Sequence, residues 1–166
     1  ICAMEPRQRL YKWDNQTDVT AFEPEYDASP LFVRYFAEKP GKYLEIYVGK
    51  SDCIDNLPDL DHKGKTILQW SVAARTQSRV FEPETADWKQ RIEAARACQQ
   101  AGYTVRYRFS PIIPVKNWQT ENAELIARIF ERTRPDVISL CPLGWMDVNM
   151  ARSVLDFDRL DPQFVA

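Results

Sequence analysis

The chain is poor in the residues from which many sites are built: 166 residues hold one histidine, five glycines and four cysteines. The histidine, His62, lies in the stretch LDHKGK, where it reads as a solvated loop residue. With one imidazole, neither a zinc site nor a Ser-His-Asp arrangement has much to draw on. Cys2, Cys53, Cys98 and Cys141 show no CxxC or CxxxCxxC spacing, so they read as reduced thiols of a cytoplasmic protein. So few glycines leave no glycine-rich phosphate loop after a strand. No apolar run approaches the roughly 18 residues that span a bilayer, and no signal peptide is visible, so no membrane partner is expected. A net charge of −2 removes any global electrostatic case for nucleic acid, while a local basic groove stays open. The chain begins at Ile1 rather than methionine, which suggests a fragment.

What is present is an ordinary globular composition, 45% hydrophobic and 28% charged, with strand and helix patterns in alternation. Strands are expected at 18–23, 42–48, 66–71, 103–110 and 136–141. Between them, Ser29-Pro30 opens a helix with Leu31, Phe32, Tyr35 and Phe36 as its apolar stripe. A short helix is expected around 54–60, and a polar connection without regular structure over 73–84. The best-marked helix starts after Thr85 as cap, carries Trp88, Ile92, Ala95 and Cys98 on one face, and closes at Gly102. A further helix, capped by Asn117, spans 119–132, and a last one 147–155.

The stretch YTVRYRFSPIIPVKNW, Tyr103 to Trp118, is the most informative. Val105, Tyr107 and Phe109 alternate with Arg106, Arg108 and Ser110. The other strands repeat the pattern, with Leu44, Ile46, Val48, Leu68 and Trp70 on an apolar face and Glu45, Gln69 and Ser71 on a polar one. A closed eight-strand barrel fills its interior with branched apolar residues, and a doubly wound sheet buries both strand faces. Neither fits. The expected fold is α/β: one domain over 1–166, an open, partial βα barrel with helices outside and a polar inner face. Arg106 and Arg108 on that face suit either an anionic substrate or internal ion pairs with acids such as Glu45.

In such folds ligands bind at the carboxyl ends of strands. These ends carry Glu23 and Glu25, Lys50, Ser71, Ser110 and Cys141. Carboxylates, a lysine and hydroxyls together suit a zwitterionic ligand. Taken singly, the acids read equally as loop charges, Lys50 as a surface lysine, and the serines as turn residues.

The segments KYLEIYVGKSDCIDNLPDLDHKGKTILQWSV and RVFEPETADWKQRIEAARACQQAGYTVRYRFSPIIPVKNW resemble the spore photoproduct lyase family of radical S-adenosylmethionine (SAM) enzymes, over about Thr20 to Trp145. Shared features are the strand ending in Lys-Ser, the His-x-Gly-x-Thr and Trp-Ser motifs, a Phe-Glu-Pro turn, the arginine-rich helix, Ala-Gly-Tyr, and Pro-Ile-Ile leading to a tryptophan. The resemblance implies a radical SAM partial barrel, SAM and a [4Fe-4S] cluster as cofactors, and an electron donor such as flavodoxin or ferredoxin. It also implies a substrate that is a small molecule or a nucleic acid, as in DNA repair. By position it places Glu25, Lys50, Ser71 and Ser110 around SAM, the loop 23–27 facing its methionine end. The family's CxxxCxxC loop is absent and is expected upstream of Ile1 with the first strand, so this chain alone is expected to be inactive. The repair enzymes carry a radical-quenching cysteine in the loop matching 23–27, and none occurs here, which points to another substrate. Two rival readings remain: a non-catalytic partial barrel binding SAM or a nucleotide, and a lyase using Lys50 as a Schiff-base amine.

Overall fold

A computed structural model describes residues 2, 4–143 and 147–165; Trp145, where the family-like stretch was expected to end, lies outside them. Five parallel strands form one sheet in sequential order: β1 (Leu10–Trp13), β2 (Tyr43–Gly49), β3 (Thr66–Ser71), β4 (Thr104–Ile112) and β5 (Val137–Pro142). Helices α1 (Glu23–Tyr26) and α2 (Ser29–Ala37) follow β1. Helices α3 (Arg75–Phe81) and α4 (Trp88–Gln100) follow β3, and α5 (Trp118–Arg132) follows β4. Two short helices, α6 (Val148–Val154) and α7 (Pro162–Val165), complete the chain.

The expected alternation holds on β4, where Val105, Tyr107 and Phe109 are buried and Arg106, Arg108 and Ser110 are partly exposed. The apolar face, with Leu44, Ile46, Val48, Leu68 and Trp70, joins Ile92, Ala95, Leu125 and Ile129 of the outer helices in one core. Burying these side chains supplies the main drive for folding, at about 1.5–3 kcal/mol for each large aliphatic group.

Several local expectations fail for identifiable reasons. The segment 18–23 is helical, a 3-10 turn over Val19–Phe22 running into α1, and the first strand is instead Leu10–Trp13. Segment 54–60 forms only successive turns, with Leu57 N–H on Ile54 O and Leu60 N–H on Leu57 O, since Pro58 has no amide hydrogen to continue a helix. The cap of α4 is Asp87, not Thr85. Asp87 accepts from the amides of Lys89 (2.7 Å) and Gln90 (2.9 Å), while the Gln90 side chain accepts from Asp87 N–H. Asn117 does precede α5, but in a left-handed conformation and without a side-chain cap. In α2 the stripe expected to be core is largely outside: Leu31, Phe32 and Tyr35 are exposed, and only Phe36 of the four is buried, beside Val33 and Ala37.

Helix α3 replaces the expected irregular connection because its N-terminus is capped from a distance. The buried Glu121 of α5 accepts from the Thr76 amide and hydroxyl, both at 2.7 Å. Burial alone would raise the carboxyl pKa, but these bonds and the nearby Arg75 and Arg79 outweigh it and the net shift is downward. A carboxylate so depressed contributes stability above its unfolded pKa, which is lost as pH falls through the folded value. Glu121→Gln is therefore expected to lower the urea midpoint at pH 7 by the equivalent of about 1 kcal/mol. The gap to wild type should close as pH falls below the usual glutamate range, roughly 4.3. A gap independent of pH would contradict the assignment.

Candidate active site at the carboxyl ends of the strands

In a parallel sheet all carboxyl ends lie on one edge, so Lys50, Ser71 and Ser110 close three adjacent strands, β2, β3 and β4, on the same side of the molecule. Lys50 follows Gly49, which has φ +75° and ends β2 through a register irregularity against Trp70. Lys50 is partly buried. Ser71 is the last residue of β3 and is buried. Buried hydroxyls without a hydrogen-bond partner occur at Ser29, Thr66 and Ser71, and of these only Ser71 stands at a strand's carboxyl end. A buried, unpartnered hydroxyl is costly unless a ligand completes it.

Ser110 is partly buried near the end of β4, where a cis peptide joins it to Pro111. This lip is clamped from α3: the Gln77 side chain donates to Pro111 O (2.8 Å) and accepts from Ile113 N–H (3.0 Å). Gln77→Leu leaves both backbone groups without their partner and is expected to cost about 1–3 kcal/mol in urea unfolding. Amide exchange at Ile113 should accelerate with it. Unchanged exchange there would show that the clamp is unimportant.

Beneath the β3 end lies a charged group that sequence reading left as one helix residue among others. The fully buried Arg91 of α4 donates to Ser71 O (3.0 Å), Ala86 O (2.7 Å) and Thr85 Oγ1 (2.8 Å), and pairs with Glu82 at 2.8 Å. Its place on the inward face of α4, beside Ile92 and Ala95, was the available signal.

The acids expected in the loop after the first strand are placed differently. Glu23 is buried, and its carboxylate accepts from Ser29 N–H and Asn56 Nδ2, both at 2.8 Å, so it caps α2 in place of Ser29. Glu25 is exposed on α1 and does not itself follow a strand. A polar cavity of about 350 Å³ lined by Glu23, Asp27, Cys53, Asp55 and Asn56 separates α1 from the loop after β2. The residues after β1 are instead Asp14 to Thr17. There Asp14 accepts from the amides of Asn15, Gln16 (2.6 Å) and Thr17 (3.1 Å), which hold its carboxyl near pKa 2.

On the polar face an ion-pair chain runs across the sheet. Glu45, almost fully buried, meets Lys12 at 2.7 Å and Arg106 at 2.6 Å, and Arg106 also meets Asp136 at 2.7 Å. The ion-pair alternative for Arg106 is thus the one realised. His62 is buried rather than solvated, stacked on Tyr103 with ring centroids 3.8 Å apart. A carbonyl can only accept, so Nε2 donates to Ala101 O (3.1 Å), and Nδ1 accepts from Gly64 N–H (3.1 Å). It precedes β3 and so lies at the far end from Ser71.

An iron–sulfur cluster does not fit the residues present. Cys98 is buried, its thiol pushed up to about 12 by burial, and among the described residues no three His, Cys, Asp or Glu side chains are grouped to hold a metal. SAM does fit, on the evidence of the unpartnered Ser71 hydroxyl among small and basic strand-end residues.

The fold is an open βα half-barrel, with the candidate residues Lys50, Ser71 and Ser110 on the carboxyl side of its strands. The family model described as spore photoproduct lyase matches residues 16–140, and the chain belongs to that family. It is 34% identical over 83 residues to spore photoproduct lyase of Geobacillus sp. (strain Y412MC61), covering 50% of this chain and 24% of that protein. To the Bacillus subtilis (strain 168) enzyme it is 32% identical over 91 residues, covering 55% and 27%. A solved spore photoproduct lyase variant with bound AdoMet and dinucleoside spore photoproduct superimposes with a TM-score of 0.75 at 22% identity, over 82% of this chain and 42% of that one. The chain thus spans about a quarter of the length of these two curated relatives. The solved structure bears on the fold alone, and it agrees with the expected partial barrel.

Proposed function

We propose that this chain is the SAM-holding part of a spore photoproduct lyase-like radical SAM enzyme acting on a DNA-derived or related small substrate. The observation that carries the reading is the buried, unpartnered hydroxyl of Ser71 between Lys50 and Ser110 on adjacent strand ends. Ser71 Oγ offers its hydrogen bond to a polar edge of SAM, and Lys50 offers an ammonium to the carboxylate or ribose oxygens. The Ser110-Pro111 lip, held by Gln77, is the part of β4 that would border SAM at this edge. Glu25 on α1 is the candidate for the ammonium group of the methionine end. SAM would supply radical chemistry in a parent protein that also held a [4Fe-4S] cluster and met an electron donor of the flavodoxin or ferredoxin type; the described residues do not hold that cluster. The similarity to the Geobacillus and Bacillus subtilis spore photoproduct lyases, and the AdoMet and dinucleoside bound in the solved variant, support this reading.

Ser71→Leu places a bulky side chain where SAM is expected and should weaken SAM binding by about tenfold or more in calorimetric titration. The complete protein, reconstituted anaerobically with iron and sulfide, should release 5′-deoxyadenosine from SAM. Tight SAM binding without that product would replace the enzyme reading by a binding module. Borohydride trapping of a carbonyl substrate on Lys50 would replace it by Schiff-base chemistry. SAM affinity equal in wild type and Ser71→Leu would remove Ser71 from the site.

A further inference from the structure

Two arginines, Arg106 and Arg108, project from the same face of β4 two residues apart, and their surroundings differ in one decisive respect. Arg106 is neutralised by Glu45 and Asp136. Arg108 has no carboxylate within 4 Å among the described residues. Among the described residues its side-chain partner is neutral, Asn15 Oδ1 at 2.7 Å. Asn15 follows β1 and Arg108 lies on β4, so this bond spans the polar face above β2 and β3. Arg108 is paired in register with Ser71 on β3 and Ser139 on β5, one layer below Ser110. The nearest acid in sequence to Asn15, Asp14, is turned onto its own loop's amides. A guanidinium braced at the exposed end of a half-buried side chain by a neutral amide keeps donors free and lacks a counter-charge, which suits an incoming oxyanion.

We infer that Arg108, braced by Asn15, is an anion-recognition residue of this site, taking a carboxylate or phosphodiester oxyanion of a molecule bound beside Ser71. The inference rests on the SAM-pocket reading and adds a specificity element to it. A carboxylate would come from SAM itself, a phosphodiester from a nucleic-acid substrate. Arg106, by contrast, already has its guanidinium nitrogens on two carboxylates, Glu45 and Asp136.

The test uses calorimetric titration of the full chain with four probes: SAM, decarboxylated SAM, the dinucleotide TpT and its uncharged methylphosphonate. Wild type is compared with Arg108→Gln, Arg108→Lys and Asn15→Ala, each first checked for a wild-type urea midpoint. A charge-assisted contact predicts that Arg108→Gln weakens one oxyanion-bearing probe by about tenfold or more and spares its counterpart that lacks that oxyanion. Arg108→Lys should restore part of the loss, and Asn15→Ala should show a smaller loss of the same kind, which serves if Arg108→Gln does not fold. Loss confined to SAM over decarboxylated SAM identifies a carboxylate; loss confined to TpT over the methylphosphonate identifies a phosphodiester. SAM binding that depends on Ser71 but not on Arg108, with TpT binding also indifferent to Arg108, overturns the inference and leaves the SAM pocket standing. Wild type that binds neither SAM nor TpT overturns both.

Discussion

Arg91→Leu is expected to cost about 3–5 kcal/mol of folding stability, because it removes one partner of a buried ion pair. Glu82, nearly inaccessible in its side chain, would keep its charge without the guanidinium that balances it at 2.8 Å. The carbonyls of Ser71 and Ala86 would lose the donors now 3.0 and 2.7 Å away. The leucine fills part of the volume but offers no hydrogen, so each carbonyl bears its own desolvation cost. Urea unfolding followed by circular dichroism measures the effect. The double variant Arg91→Leu/Glu82→Leu should recover part of the loss, since an apolar pair can replace a buried ion pair at little cost. A single-variant loss below about 1 kcal/mol would mean that Glu82 finds water or another partner. Because Arg91 holds the Ser71 carbonyl, the single variant should also weaken SAM binding, and the double variant should not restore it.

Gly49→Ala is expected to be nearly as severe, at about 3 kcal/mol, the sum of left-handed backbone strain and steric overlap. At φ +75° a Cβ on residue 49 would stand 1.8 Å from Asp18 Oδ1, 2.4 Å from its Cγ and 3.0 Å from its Cα. The side-chain atoms can swing away, but the Cα belongs to the segment leading into the 3-10 turn that packs on the end of β2. Adding Asp18→Ala should therefore recover the side-chain part of the overlap and leave about 1–2 kcal/mol of backbone strain. Equal stability of Gly49→Ala and wild type would show that the turn moves freely. Lys50 follows directly, so the same variant should displace its ammonium from the strand end.

Much of the fold was legible because its signals are local. The alternation of Val105, Tyr107 and Phe109 with Arg106, Arg108 and Ser110 is written in six consecutive residues. The candidate address could be read for a related reason. A parallel βα repeat puts every strand's carboxyl end on one edge, so Lys50, Ser71 and Ser110 could be gathered from strand boundaries alone. Where a boundary was misread, the address failed with it. Taking 18–23 for a strand moved the first strand-end loop to 23–27, whereas it is 14–17. Glu23 then proved to be a helix cap, and Asn15, never considered, proved to be the residue that meets Arg108.

The sequence by itself determined the class of fold, the polar and apolar faces of the strands, and the family, since each depends on periodicity or on ordered short motifs. The tertiary structure alone decided which polar groups meet. Glu121 caps a helix 45 residues away, Glu45 neutralises Arg106 across 61 residues, and Asn15 reaches Arg108 across 93. Pairings at such separations carry no periodic trace, because they depend on which strands become neighbours and how far a side chain reaches over them. Two arginines identical in the sequence pattern therefore end in different surroundings: Arg106 between two carboxylates, and Arg108 against the neutral Asn15 with no carboxylate within 4 Å among the described residues.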